Sequence, residues 1–237
     1  MKILAIDTST AVMGVALLNE ERVLAEITTN VKRNHSIRLM PSIEILFQEV
    51  KGSPEDIDLI AVAKGPGSYT GVRIGVTTAK AFAYALNKPI IGISTLEAMA
   101  FQNKGFKGYI SPLMDARRGQ VYTGLYQGDW NEWRTIESDR IVLLTNWIEM
   151  LAERNEQVLF IGDDVTIHFD MIRQVLEERA MISDPFLRIP RSSVIGYLAK
   201  REFEAGRIDN AFDFVPEYLQ LAEAEVKWLE KQKQKQF

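Results

Sequence analysis

Residues 59–86 constrain this chain more than any other stretch. An apolar run, Leu59-Ile60-Ala61-Val62-Ala63, has the composition of a buried strand. Gly65-Pro66-Gly67-Ser68-Tyr69-Thr70-Gly71 follows, then a long stretch of helical period that predicts a helix over 70–86. A glycine-rich turn between strand and helix presents backbone N–H groups and the positive end of the helix dipole, which suits an anion such as phosphate. The candidate nucleotide or phosphate loop is therefore Gly65, Gly67, Ser68 and Thr70, with Asp7 at the end of an earlier strand. The same residues also read as architecture: Gly65 and Gly67 allow positive φ, and Ser68 or Thr70 can cap the helix. No Gly-Lys-Ser/Thr follows, so this is not a Walker A loop.

Around this unit the chain repeats one order of elements. Strands are predicted over 2–7, 12–18 and 22–28, a helix over 36–50, a strand over 58–63, the helix at 70–86, a strand over 89–93 and a short helix over 95–102. The second half starts the same way, with strands at 109–114, 120–126 and 135–144, a helix at 146–154, a strand at 158–161 and helices at 166–178 and 193–205. In both halves an apolar strand ends in aspartate (Asp7, Asp115) and a glycine-bearing strand comes next (Gly14, Gly119). A βββαβα unit used twice is the plan of the two-lobed α/β fold of actin, Hsp70 and the sugar kinases (the ASKHA fold), here with a reduced second lobe. The expected division is an N-terminal lobe over 1–103, a C-terminal lobe over 104–215, and a C-terminal helix with a frayed polar tail over 216–237 that packs back on the first lobe.

Composition limits the chemistry. The 237 residues carry a net charge of −4, without the basic surplus that autonomous nucleic-acid binding requires, so any contact with nucleic acid is expected through a partner. There is no cysteine, which excludes disulfides and thiolate metal sites, and the two histidines, His35 and His168, are far apart in sequence. The first residues hold one lysine and an apolar run broken by Asp7, too short for a signal peptide or membrane span; a cytoplasmic protein with no membrane association is expected. No tightly bound cofactor is expected, and at most weak binding of ATP or ADP.

Two helices of the first lobe carry a second apolar strip beside the one facing the sheet. On the first, Leu39, Met40, Ile43, Leu46, Phe47 and Val50 make the core face, while Ile37, Pro41 and Ile45 lie apart, spaced by four. On the second, Val72, Val76, Ala79, Phe82, Ala83 and Leu86 face the core, and Ile74, Thr78, Ala81 and Ala85 form a strip of mostly small residues. A helix needs one buried face, and small residues let another helix approach closely. The two strips predict a partner-binding surface, occupied by a second copy in a homodimer when the chain is alone.

Several segments together resemble a known family. They are Ile6-Asp7-Thr8-Ser9-Thr10, His35-Ser36 with Leu39-Met40-Pro41, Asp56-Ile57-Asp58, the glycine segment Gly65 to Gly75, Ser94-Thr95-Leu96-Glu97, Asp115-Ala116-Arg117-Arg118-Gly119, and Pro216-Glu217-Tyr218-Leu219. In this order and spacing they are similar to the TsaB family, non-catalytic paralogues of the TsaD family in bacterial tRNA threonylcarbamoyladenosine synthesis. TsaD-type enzymes carry a His-x-x-x-His metal pair; Thr95 and Met99 stand in those positions, so no catalytic residue and no metal site are expected. The resemblance implies a scaffold or activator working with a TsaD-like catalytic subunit and a TsaE-like ATPase. That complex would transfer threonylcarbamoyl to the adenosine beside the anticodon of tRNAs reading codons that start with A. TsaD would compete for the helical surface, and tRNA would be met through the complex. The alternative is an autonomous enzyme, a glycoprotease-like metallopeptidase or an ASKHA-type small-molecule kinase.

Overall fold

The computed structural model describes residues 1–31, 34–129 and 131–220. Two five-stranded sheets are built to one plan. In the first, β1 (Ile3–Asp7), β2 (Val12–Leu18) and β3 (Val23–Asn30) form an antiparallel meander. Helix α1 (Leu39–Glu49) then leads to β4 (Leu59–Gly65), and α2 (Tyr69–Leu86) to β5 (Ile90–Ser94). β4 lies parallel to β1 and β5 parallel to β4, giving the order β3-β2-β1-β4-β5. After α3 (Thr95–Phe101), the meander β6 (Tyr109–Arg117), β7 (Gln120–Gly128) and β8 (Trp133–Leu143) is followed by α4 (Leu144–Glu153), β9 (Val158–Ile161), α5 (Val165–Leu176) and β10 (Ala180–Ile182). The order β10-β9-β6-β7-β8 reproduces the first sheet strand for strand. Helix α6 (Ser192–Glu204) closes the set.

The central strands read as continuous apolar runs because both faces of each sheet are covered. Leu4 and Ile6 of β1 face the α1 and α2 side, with Met13, Val15, Ile60, Val62, Val72 and Val76. Ile3 and Ala5, one residue out of step, face the opposite side with Ala16, Leu59, Ile91 and α6 residues Ile195, Leu198 and Ala199. The second sheet packs α4 and α5 on one face around Trp147, Phe160 and Ile172, and α3 on the other through Leu96, Met99 and Ala100.

Three expectations change. Strand β10 was not anticipated; three residues are too few to display a period. Met40, assigned to the core face of α1, is 50% exposed, because that face is filled by Leu39, Ile43, Leu46 and Phe47. The C-terminal lobe does not run to residue 215. Helix α6 covers the open face of the first sheet, the amide of Asp209 donates to the carbonyl of Ile90 in β5, and Phe214 enters the first-lobe core. The reason is that α1 and α2 cover one side of a sheet that is apolar on both. Of the expected tail 216–237, Glu217 and Tyr218 lie against the first lobe at Lys64 and Arg73, Gln220 accepts the Tyr122 hydroxyl of the second lobe, and residues 221–237 fall outside the described residues.

Candidate functional site

The outer face of the first lobe is built by α1 and α2. Helix α1 turns Leu39, Ser42, Ile43, Leu46 and Phe47 inward and leaves Pro41 and Ile45 exposed; Ile37, in the turn before it, is 69% exposed. Asn34 sets that turn by accepting the Ser36 amide, and His35 Nε2 lies 2.9 Å from the Thr10 carbonyl oxygen in the β1–β2 turn. On α2, Ala81 and Ala85 are exposed, while Ile74 and Thr78 are half-buried. A shallow groove of about 450 Å³ runs between the helices, lined by Met40, Tyr69, Thr70, Arg73, Ile74 and Thr78 among others. Of the predicted strips, Ile74 and Thr78 line this groove with Met40, Tyr69 and Arg73, while Ile37, Pro41, Ile45, Ala81 and Ala85 do not, and Ile74 also packs against the first-lobe core. Arg73 lies over the Tyr69 ring at 4.0 Å, and its Nε donates to the Tyr218 hydroxyl at 2.7 Å. Tyr218 belongs to the Pro216-Glu217-Tyr218-Leu219 segment noted in the sequence, but its contact with Arg73, 145 positions away, has no local signal.

The candidate phosphate loop does not converge on one cavity. A Cβ on Gly67 would overlap the Ser9 carbonyl oxygen, and one on Gly71 the Thr8 carbonyl oxygen. The glycines let the start of α2 sit directly on the β1–β2 turn. There the Ser68 amide donates to the Ser9 carbonyl at 2.7 Å, and Thr8 Oγ1 donates to the Gly71 carbonyl at 2.7 Å. Ser68 caps the helix by accepting the Gly71 amide at 3.3 Å. Gly65, at φ +113°, runs beneath the Glu217 backbone. Thr70 faces the α1–α2 groove. Asp7 is buried and accepts the Ser9 amide at 2.8 Å and the Ser9 hydroxyl at 2.6 Å. Burial raises its carboxyl above the usual range, against the lowering effect of those two hydrogen bonds and of His35. Only Gly67 and Ser68 of the five line the space between the lobes.

That space is a cleft of about 310 Å³. Ser9, Thr10, Gly67 and Ser68 form one wall, and Met114, Asp115, Tyr122, Asp163 and Asp164 another. Asp115 Oδ1 lies 3.2 Å from His168 Nε2, and its amide donates to Asp164 Oδ2 at 2.9 Å. Asn30 Nδ2 donates to Asp163 Oδ2 at 3.1 Å, which ties the first lobe to the second. Thr95 and Met99 are both buried; Met99 packs among Leu96, Ile110, Met114 and Ile161, where an apolar thioether belongs. Among the described residues, no group of three or more His, Cys, Asp or Glu side chains is placed to hold a metal ion. Also among them, no helix is long and apolar enough to cross a membrane.

Comparisons with known proteins agree over nearly the whole chain. Residues 22–228 match the family model described as TsaD, tRNA N6-adenosine threonylcarbamoyltransferase. The tRNA threonylcarbamoyladenosine biosynthesis protein TsaB of Bacillus subtilis is 48% identical over 98% of this chain and 100% of its own length. The Escherichia coli protein of the same name is 36% identical over 70% of this chain and 71% of its own. Among solved structures, YeaZ from Pseudomonas aeruginosa superposes with a TM-score of 0.75 at 28% identity, covering 92% of this chain and 99% of that one.

Proposed function

This chain belongs to the TsaB family of tRNA threonylcarbamoyladenosine biosynthesis proteins, and we propose that within that biosynthesis it is a non-catalytic scaffold and activator. Its partners on this reading are a TsaD-like catalytic subunit and a TsaE-like ATPase. Two copies pair through the same face when no partner is present. The complex transfers threonylcarbamoyl to the adenosine beside the anticodon, and tRNA is met through the assembly.

The observation that carries this reading is the pairing of exposed apolar strips on α1 and α2. Ile37, Pro41, Ile45, Ala81 and Ala85 lie at the surface, beside a groove that exposes Met40 and Tyr69. Surface helices of a self-sufficient lobe bury one face and leave the other polar. Exposed apolar side chains on two consecutive helices support an interaction site, and two helices from each side make a four-helix contact. The cleft supports the non-catalytic part: the amide of Ser68 is already bonded within the fold, and Thr95 and Met99 supply neither the imidazoles nor the carboxylates of a catalytic metal site. Activation then follows from linkage, because the scaffold shifts its partner only as far as it binds the competent conformation more tightly than others.

Reconstitution tests the proposal. TsaD, TsaE, tRNA and the threonylcarbamoyl-adenylate donor are combined with and without this chain, and modified adenosine is measured. We expect modification only when the chain is present. Modification of equal rate without it, or turnover by the chain alone, overturns the reading.

A further inference from the structure

Helix α6 starts over a row of polar side chains on the first sheet. Asp7 of β1 pairs with Gly14 of β2, and Gly14 pairs with Thr28 of β3. Residues directly opposite one another in a sheet point to the same face. For this row it is the α6 face, because Ala5 and Ala16, two positions along the same strands, pack against Ile195, Leu198 and Ala199. Gly14 is the seat of the first turn of α6: a Cβ there would fall 2.5 Å from Ser192 Oγ and 3.7 Å from the Ser192 amide nitrogen. The Ser192 hydroxyl thus takes the space of a side chain at position 14, with Asp7 on one side and Thr28 on the other.

The hydrogen bonding of this row is incomplete within the protein. Asp7 and Ser192 are buried, and Asp7 Oδ1 accepts the Ser9 amide and hydroxyl. Asp7 Oδ2, Thr28 Oγ1 and Ser192 Oγ are all shielded from solvent, and none has a hydrogen-bond partner among the described residues. The nearby carboxylate of Glu26, also on β3, is already engaged. It accepts the Ser193 amide at 3.0 Å, the Ser193 hydroxyl at 2.9 Å and the Arg191 guanidinium, and so caps α6 where no local side chain does. Buried polar atoms in folded proteins are nearly always bonded, to protein or to ordered water.

The geometry and the atom types select the partner. Cross-strand Cβ atoms stand about 5 Å apart, so Asp7 and Thr28 flank the Ser192 hydroxyl at a separation that two hydrogen bonds of about 2.8 Å through one solvent molecule can span. A carboxylate oxygen accepts, and each hydroxyl donates or accepts. One water satisfies all three by donating to Asp7 Oδ2 and accepting from Ser192 and Thr28, and about three bonds is the usual complement of an internal water. A hard metal ion needs a fuller shell of oxygens, and an anion would meet the carboxylate. We propose that Asp7, Thr28 and Ser192 form a binding site for a single internal water molecule, which fastens the start of α6 to β1 and β3. The site lies behind the interlobe cleft: Ser9, bonded to Asp7, and Pro190, two residues before Ser192, both line that cleft. The water therefore ties one cleft wall to the segment that enters α6. Neither this inference nor its test requires a nucleotide or a partner protein.

Two measurements on the full-length protein test it. In a crystal structure sharp enough to show ordered solvent, one water should lie within about 3.2 Å of all three atoms. A direct hydrogen bond among the three side chains, or a dry contact between them, overturns the proposal. So does a cation, which crystals grown in rubidium chloride would reveal by anomalous scattering. The second measurement needs no crystal. Thr28→Val and Ser192→Ala, each a loss of one hydroxyl, are compared singly and together in urea unfolding. Side chains coupled through one shared water lose that water once. The double variant should therefore be more stable than the sum of the single effects by at least about threefold in the unfolding equilibrium constant. Additivity within that factor overturns the shared site.

Discussion

At the scale of single residues, function in this fold rests on where small and acidic side chains are tolerated. Gly71 sits where any Cβ would overlap the Thr8 carbonyl, and backbone cannot move aside cheaply. Gly71→Ala should cost about 2–4 kcal/mol in urea unfolding, by the overpacking and strain mechanisms known to give large effects. A second residue-scale prediction concerns Asp139 on β8. Its carboxylate accepts the Ser94 hydroxyl at the end of β5 and the Tyr126 hydroxyl, joining the two sheets. Burial raises its carboxyl above the ordinary value, despite the two hydroxyl donors and Lys64. A raised acid is stabilising when protonated, and its contribution is lost as pH rises from the unfolded value through the folded one. Asp139→Asn keeps an acceptor and removes the titration. Melting curves from pH 4 to 8 should therefore show the variant gaining on the parent as pH rises; parallel curves would count against burial as the cause.

At the scale of elements, α1 and α2 each do two jobs. Their inner faces close the first-lobe core, and their outer strips remain unspent. Ala81 is exposed on α2, so Ala81→Glu should leave stability within about 0.5 kcal/mol. Against a close-packed partner helix the same carboxylate loses its water without gaining a counter-charge, a cost of several kcal/mol. Self-association and binding of TsaD should each weaken by at least a hundredfold, on the order of 2.8 kcal/mol; sedimentation velocity and titration calorimetry read the two. Retention of both complexes would move the docking face elsewhere. The strips were legible in sequence because helical period is local: residues four apart must share a side. The contact of Tyr218 with Arg73 was not, since 145 positions separate them.

At the scale of the molecule, the two lobes are held by carboxylates and by one returning helix. Asn30 with Asp163, Ser94 with Asp139 and Trp133 with Glu97 each span the lobes, and α6 fills the face of the first sheet left open by α1 and α2. In the cleft they enclose, the Ser68 amide is bonded to the Ser9 carbonyl. A tight nucleotide site with a Kd of about 10 μM would add about 2.7 kcal/mol at 1 mM nucleotide. For a chain of this size that is roughly 5–10 °C in Tm. We expect 1 mM ATP or ADP to shift Tm by less than about 1 °C; a rise of 5 °C would restore the cleft as a nucleotide site.

The sequence by itself determined the doubled βββαβα plan, the two-lobed fold and the exposure of Ile37, Pro41, Ile45, Ala81 and Ala85 on the first lobe. All of these follow from periods of two and 3.6 residues and from glycine and aspartate at the strand ends, which act over a few residues. Tertiary structure alone decided that the glycine turn is a seat for α2 on the β1–β2 turn, with Thr70 and Gly65 on separate sides. It also decided that α6 belongs to the first lobe, and that Tyr122, Asp163, Asp164 and Arg188 face one cleft. Those outcomes depend on which apolar face remains uncovered once the sheets have formed, a property of the assembled surfaces that no local window contains.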